Sequence, residues 1–120
     1  MARVLVVDDA VFMRLSIKQI LEKHGHTVAS EAGDGITAIQ MFATTKPDVT
    51  ILDITMPEMS GLEALRQIKA MDPKAKVVIC SALGQQEQLA RAIQLGAKDF
   101  IVKPFEPDRM IAAIDKVLSD

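Results

Sequence analysis

Short β-branched runs alternate along this chain with longer stretches of helical period, and that alternation restricts the fold more than any single motif. The runs are Val4-Leu5-Val6-Val7, Thr27-Val28-Ala29-Ser30, Val49-Thr50-Ile51-Leu52, Lys76-Val77-Val78-Ile79 and Phe100-Ile101-Val102. The first, third and fourth are nearly continuous apolar segments, the pattern of central strands covered on both faces. The second alternates and ends in Glu31, which suits an edge strand. Between the runs, Met13, Ile17, Ile20 and Leu21 carry a helical stripe that stops at His24-Gly25. Asp34-Gly35 opens a second helix, Lys46-Pro47 closes it, and Ser60 caps a third bearing Leu62, Leu65 and Ile68. A fourth spans Gln85 to Leu95 and ends at Gly96; Pro107 starts a fifth, where a missing N–H is harmless. Its stripe of Met110, Ile111, Ile114, Val117 and Leu118 is the clearest in the chain.

Strict strand–helix alternation with short connections requires parallel strands and right-handed crossovers. The sequence therefore predicts an α/β fold with a five-stranded parallel sheet flanked by five helices. A length of 120 residues suits one domain, residues 1–120. Fourteen basic and sixteen acidic side chains give a net charge of −2, no electrostatic footprint for nucleic acid. One cysteine excludes an internal disulfide framework and fits a reducing cytoplasm. No apolar run nears the roughly 20 residues that cross a bilayer, so no membrane association is expected. Trp and Tyr are absent, which leaves an aliphatic core supplemented by seven methionines. His24 and His26, two apart around a glycine, have no metal-ligand spacing and read as loop or solvent residues. Cys80 reads as a small buried apolar residue.

Open parallel sheets bind ligands beyond the carboxyl ends of their strands. Here the first strand runs into Asp8-Asp9, the third into Asp53, the fourth past Cys80 into Ser81, and the fifth into Lys103-Pro104. Any one of these residues could cap a loop, as Asp9 could cap the first helix. Together they bring carboxylates whose mutual repulsion raises their pKa values unless a divalent cation intervenes. Hard oxygen ligands and few carboxylates suit Mg²⁺. A carboxylate can attack phosphorus to give an acyl phosphate, and the transferred group then needs its oxygens neutralised. Asp53, on the central strand, is the candidate nucleophile and Asp8 with Asp9 the metal pair. The Lys103 ammonium and the Ser81 hydroxyl, with a nearby backbone N–H, are the remaining partners of the phosphoryl oxygens.

Asp8-Asp9, the segment from Asp53 to Gly61 (DITMPEMSG), Ser81-Ala82 and Lys103-Pro104-Phe105 together resemble the receiver domain of two-component response regulators, over the whole chain. Phe12-Met13-Arg14, Cys80-Ser81-Ala82 with Gly84-Gln85-Gln86, and the segment from Gly96 to Phe105 look most like its single-domain chemotaxis members from bacilli and thermophiles. The resemblance implies the flavodoxin-like sheet order 2-1-3-4-5. It implies that Asp53 accepts phosphate from a histidine kinase, CheA-like in the chemotaxis case. Asp8, Asp9, Asp53 and the carbonyl of Thr55 would then hold Mg²⁺, and Lys103, Ser81 and Ala82 would bind phosphate. Ser81 would swing toward the phosphoryl group and Phe100 rotate inward, altering the face of helix 4, strand 5 and helix 5 that binds a target. The Lys103-Pro104 bond would be cis.

Many family members carry Thr in place of Ser81 and many chemotaxis members Tyr in place of Phe100; the first change keeps the hydroxyl, the second loses one. Thr55 and Leu83 fall where the family tunes dephosphorylation. The implied setting is a cytoplasmic monomer whose target is a flagellar motor switch protein, with a phosphatase as a further partner. The competing reading is a phosphorelay intermediate, or the receiver of a multidomain transcriptional regulator. A flavodoxin-like cofactor carrier is disfavoured, because Asp8-Asp9 would repel a cofactor phosphate. A haloacid-dehalogenase phosphatase is disfavoured too, because Thr55 stands where its general acid belongs. There is no P-loop and no Gly-rich dinucleotide fingerprint.

Overall fold

The computed structural model describes residues 1–56 and 59–119. Pro57 and Glu58, within the segment after Asp53, and Asp120 lie outside the described residues. The elements run β1 (Arg3–Val7), α1 (Val11–Lys23), β2 (Thr27–Ala32), α2 (Gly35–Thr45), β3 (Val49–Asp53), α3 (Gly61–Met71), β4 (Val77–Ala82), α4 (Gln86–Gln94), β5 (Asp99–Lys103) and α5 (Pro107–Leu118). All strand pairs are parallel, in the order β2-β1-β3-β4-β5. Strand order and element count match the expectation from sequence. β2 and β5 are the edges; β2 does not alternate as its sequence suggests, since Val28, Ala29 and Ser30 are all half-buried beside a register shift opposite Val4 and Leu5, and it continues one residue past Glu31 to Ala32.

Side chains on the central strands divide between two apolar layers. Leu5, Val7, Leu52, Val77 and Ile79 face α2, α3 and α4, where they meet Ala38, Phe42, Ala64, Leu65, Ile68 and Ala92. Val4, Val6, Val49, Ile51, Val78, Cys80 and Ile101 face α1 and α5 and meet Ile17, Leu21, Met110, Ala113, Ile114 and Val117. The α5 stripe read from sequence is thus its buried face, with Ile111 and Leu118 at the margin. With both faces covered, the polar ends of the strands are the part of the sheet left for chemistry.

Capping divides the helices. Ser60 caps α3, its hydroxyl accepting the Glu63 N–H at 3.3 Å. Asp34 caps α2 in the same way through Thr37 at 2.7 Å. Asp9 does not cap α1: the cap position is Ala10, with no side-chain capping bond. The histidines also depart from expectation in part. His24 is exposed, but His26 is buried, and its Nδ1 accepts the Ala2 backbone N–H at 3.1 Å. Its proton therefore sits on Nε2, which faces Asp115 at 3.9 Å. A residue that reads as a solvent-facing turn position instead fastens the start of β1.

Gly61 sets the distance between α3 and the sheet. A Cβ there would lie 2.1 Å from the Asp53 carbonyl oxygen and 2.7 Å from the Ile54 Cα. The Gly61 N–H donates to the Ile54 carbonyl at 2.8 Å. Only hydrogen fits at that approach, so α3 begins directly against the end of β3.

Candidate functional site: an acidic cluster at the carboxyl end of the sheet

Three carboxylates converge where β1 and β3 end. One oxygen each from Asp8, Asp9 and Asp53 lies within 4.8 Å of the others. Asp8 and Asp53 are buried, at 1% and 6% exposure, whereas Asp9 faces solvent. The sheet explains the convergence. β1 and β3 are adjacent and parallel, with Val7 beside Leu52, so the residue after each pair falls at the same edge. The apolar run of each strand is the spacer that places its carboxylate.

Lys103, the last residue of β5, reaches across from the far edge. Its Nζ lies 2.7 Å from Asp8 Oδ2 and 3.5 Å from Asp53 Oδ2. The Lys103-Pro104 peptide bond is cis, as the resemblance implies. Asp8 Oδ1 accepts the Ala10 N–H at 2.9 Å, and Asp53 Oδ1 accepts the Thr55 N–H at 3.2 Å. Arg14 donates to the Asp8 backbone carbonyl and pairs with Glu31 at 3.1 Å, fixing the turn that carries the two N-terminal acids.

One ammonium faces three carboxylates, and the crowding shows at Asp53 and Lys103. Burial pushes the Asp53 carboxyl above its usual value, the Lys103 charge pulls it back, and the neighbouring Asp8 raises it again. Burial also opposes the charge on Lys103. The hydrogen bond to Asp8 and the charges of Asp53 and Asp8 outweigh that and hold the ammonium above its ordinary value. One ammonium does not balance three carboxylates, so an added cation would relieve the cluster.

The β4 register supplies the rest. Cys80 pairs with Asp53, Ser81 with Val102 and Ala82 with Lys103. Ser81 and Ala82 thus flank the cluster from the next strand, inside β4 rather than after it, and Ser81 is buried. Thr55 is exposed at the mouth. Phe100 is apart from these residues: it lies on edge strand β5, 36% exposed, on the same sheet face as Ile79. The sequence brought Asp8, Asp9, Asp53, Ser81, Ala82, Thr55 and Lys103 to one end of the sheet, and the structure places all seven there. It did not find a role for Gln85, whose side chain spans two of the loops; in the sequence Gln85 marks a helix start and carries part of the resemblance.

A buried carboxylate on the central strand, two more beside it and a lysine facing them from β5 are the arrangement a receiver requires. Residues 4–115 match the family described as the response regulator receiver domain, and the chain belongs to that family. It is similar to the chemotaxis protein CheY of Thermotoga maritima, 52% identical over 96% of both chains. It is likewise similar to the chemotaxis protein CheY of Listeria monocytogenes, 54% identical over 97% of this chain and 98% of that one. Among solved structures, the CheX-CheY-BeF3-Mg²⁺ complex from Borrelia burgdorferi superimposes with a TM-score of 0.92 at 35% identity, over 96% of this chain and 87% of that one. The chain is accordingly a response regulator of two-component signal transduction, of the chemotaxis type.

Proposed function

We propose that Asp53 accepts a phosphoryl group from the phosphohistidine of a CheA-like histidine kinase, and that the modified protein binds a flagellar motor switch protein. The observation that carries this reading is the acidic cluster facing Lys103 at the carboxyl end of the sheet. The donor set fits Mg²⁺: three carboxylates with oxygens within 4.8 Å, little wider than the roughly 3–4 Å between ligands of one octahedral ion. Asp8, Asp9, Asp53 and the Thr55 carbonyl would hold it. Held by these residues, the ion would supply positive charge to offset the carboxylates and the transferred phosphoryl group.

The remaining work falls to side chains of this chain. An Asp53 carboxylate oxygen attacks phosphorus, the P–N bond to the donor imidazole breaks, and the imidazole nitrogen keeps the electron pair. Lys103 turns from Asp8 and Asp53 to a phosphoryl oxygen. The Ser81 hydroxyl and the Ala82 N–H take another. Movement of Ser81 toward the phosphoryl group opens room behind β4, where a cavity of about 70 Å³ already lies between Ser81, Leu89 and Val102. Phe100, on the same sheet face as Val102, turns into it and reshapes the α4–β5–α5 surface.

The setting is the cytoplasm, with the chain acting as a monomeric single domain and a phosphatase resetting it. Within the described residues no helix is long and apolar enough to cross a membrane. The receiver of a transcriptional regulator is the weaker reading, because the chemotaxis relatives named above are 52% and 54% identical to this chain. Phosphate-affinity gel electrophoresis after treatment with acetyl phosphate and Mg²⁺ tests the acceptor. Wild type should give a retarded band and Asp53→Ala none; a retarded band in the mutant would move the acceptor elsewhere.

A further inference from the structure

The backbone N–H of Ala82, at the end of β4, is already in use. It donates to Gln85 Oε1 at 2.7 Å. The other end of that carboxamide donates from Nε2 to Thr55 Oγ1 at 2.6 Å. The assignment of the two ends is fixed by the partners, since a backbone N–H can only donate and must face the oxygen. Gln85 therefore ties the β4–α4 connection to the β3–α3 connection, alongside the acidic cluster, whose Asp53 holds the Thr55 N–H.

Nothing in the helix asks for this arrangement. Gln85 is the cap residue of α4, yet its side chain makes no capping bond. Only its backbone carbonyl serves the helix, accepting the Leu89 N–H at 2.9 Å. Gly84, just before it, adopts φ +87°, a conformation open to glycine, and a Cβ there would meet no atom within 4 Å. α4 itself is lightly held: nine residues, of which Ala92 is fully buried and Leu89 partly.

We propose that Gln85 is a positioning residue that keeps the Ala82 N–H occupied until a phosphoryl oxygen displaces it, so that phosphorylation releases the start of α4. The inference rests on the reading of Asp53 as phosphoacceptor. An N–H has a single hydrogen, so the carboxamide oxygen and the phosphoryl oxygen compete for it. The phosphoryl oxygen is anionic, its bond is charge-assisted, and the exchange runs in its favour. Once Oε1 is displaced, the Thr55 link loses its second anchor and Gly84 can pivot. Gln85 thereby lowers the affinity of the resting site for the phosphoryl group and couples that group's arrival to α4.

The test uses the intact chain, saturating Mg²⁺ and beryllofluoride as the phosphoryl probe, followed by ¹⁵N–¹H correlation spectra. Gln85→Ala should bind beryllofluoride about three- to tenfold more tightly than wild type, the equivalent of one net hydrogen bond. Gln85→Glu, which keeps an acceptor and adds a charge facing the probe, should bind more weakly than wild type. The Ala82 amide should shift in apo Gln85→Ala and converge on the wild-type position once beryllofluoride is bound. Equal or weaker binding by Gln85→Ala, or an Ala82 resonance indifferent to the substitution, overturns the proposal. Asp53→Ala separates the two claims: if it still binds beryllofluoride, the acceptor reading fails. If it does not, and Gln85→Ala binds like wild type, only the role of Gln85 fails.

Discussion

Cys80 shows how far burial can shift a single group. It pairs with Asp53 across β3 and β4, and burial drives its thiol up to about 12. Lys103 lowers the value somewhat, while Asp53 and Asp8 raise it. A thiol that cannot ionise is a poor nucleophile, so the folded protein should resist thiol reagents at pH 8 and react only on unfolding. The sign of the pH effect follows. Above pH 9 the unfolded chain gives up the Cys80 proton while the folded chain keeps it, so stability falls as pH rises from about 9 toward 12. Urea unfolding of Cys80→Ala should lose stability less steeply over that range than wild type; parallel profiles would contradict the assignment. Buried Cys80 was legible from its apolar run. His26 was not, because spacing to His24 says nothing about the distant Ala2 N–H that its ring accepts. The partners of Gln85 were hidden for the same reason: Thr55 lies thirty positions away in the chain.

At the scale of elements, the strands were the most readable part and the helix starts the least. Apolar runs name the central strands because both faces are covered, and the residue that ends each run is then a site residue by position. That logic recovered Asp8, Asp53 and Lys103. It placed Ser81 after β4 where the structure keeps it inside, since pairing with Val102 continues the ladder beyond the apolar run. Asp9, read from sequence as half of an acidic pair rather than as a helix cap, does bring its carboxylate to the cluster, and the cap position of α1 falls to Ala10. The start of α3 is where element and site meet. Ser60→Ala should cost about 1 kcal/mol through loss of the cap, read as a lower Tm. Gly61→Ala should cost more, because its Cβ would collide with the Asp53 carbonyl, and should also disturb Mg²⁺ binding. Equal melting temperatures for the two variants would show that the close approach relaxes easily.

At the scale of the whole molecule, two apolar layers enclose a sheet at whose carboxyl end three carboxylates gather around Lys103. Mg²⁺ binding to the folded chain alone should stabilise it by about 2.7 kcal/mol at a hundredfold excess over Kd. That is a rise of about ten degrees in Tm, reversed by a chelator. Asp9→Ala should remove most of the rise while leaving the metal-free Tm nearly unchanged, because Asp9 is exposed. A full Mg²⁺-dependent rise in Asp9→Ala would exclude it as a ligand. The most direct measurement is the position of the phosphorylated residue itself. Borohydride reduces an aspartyl phosphate to homoserine, so peptide mapping after acetyl phosphate, Mg²⁺ and borohydride should find homoserine at position 53. Homoserine at 8 or 9, or at no position, would contradict the account.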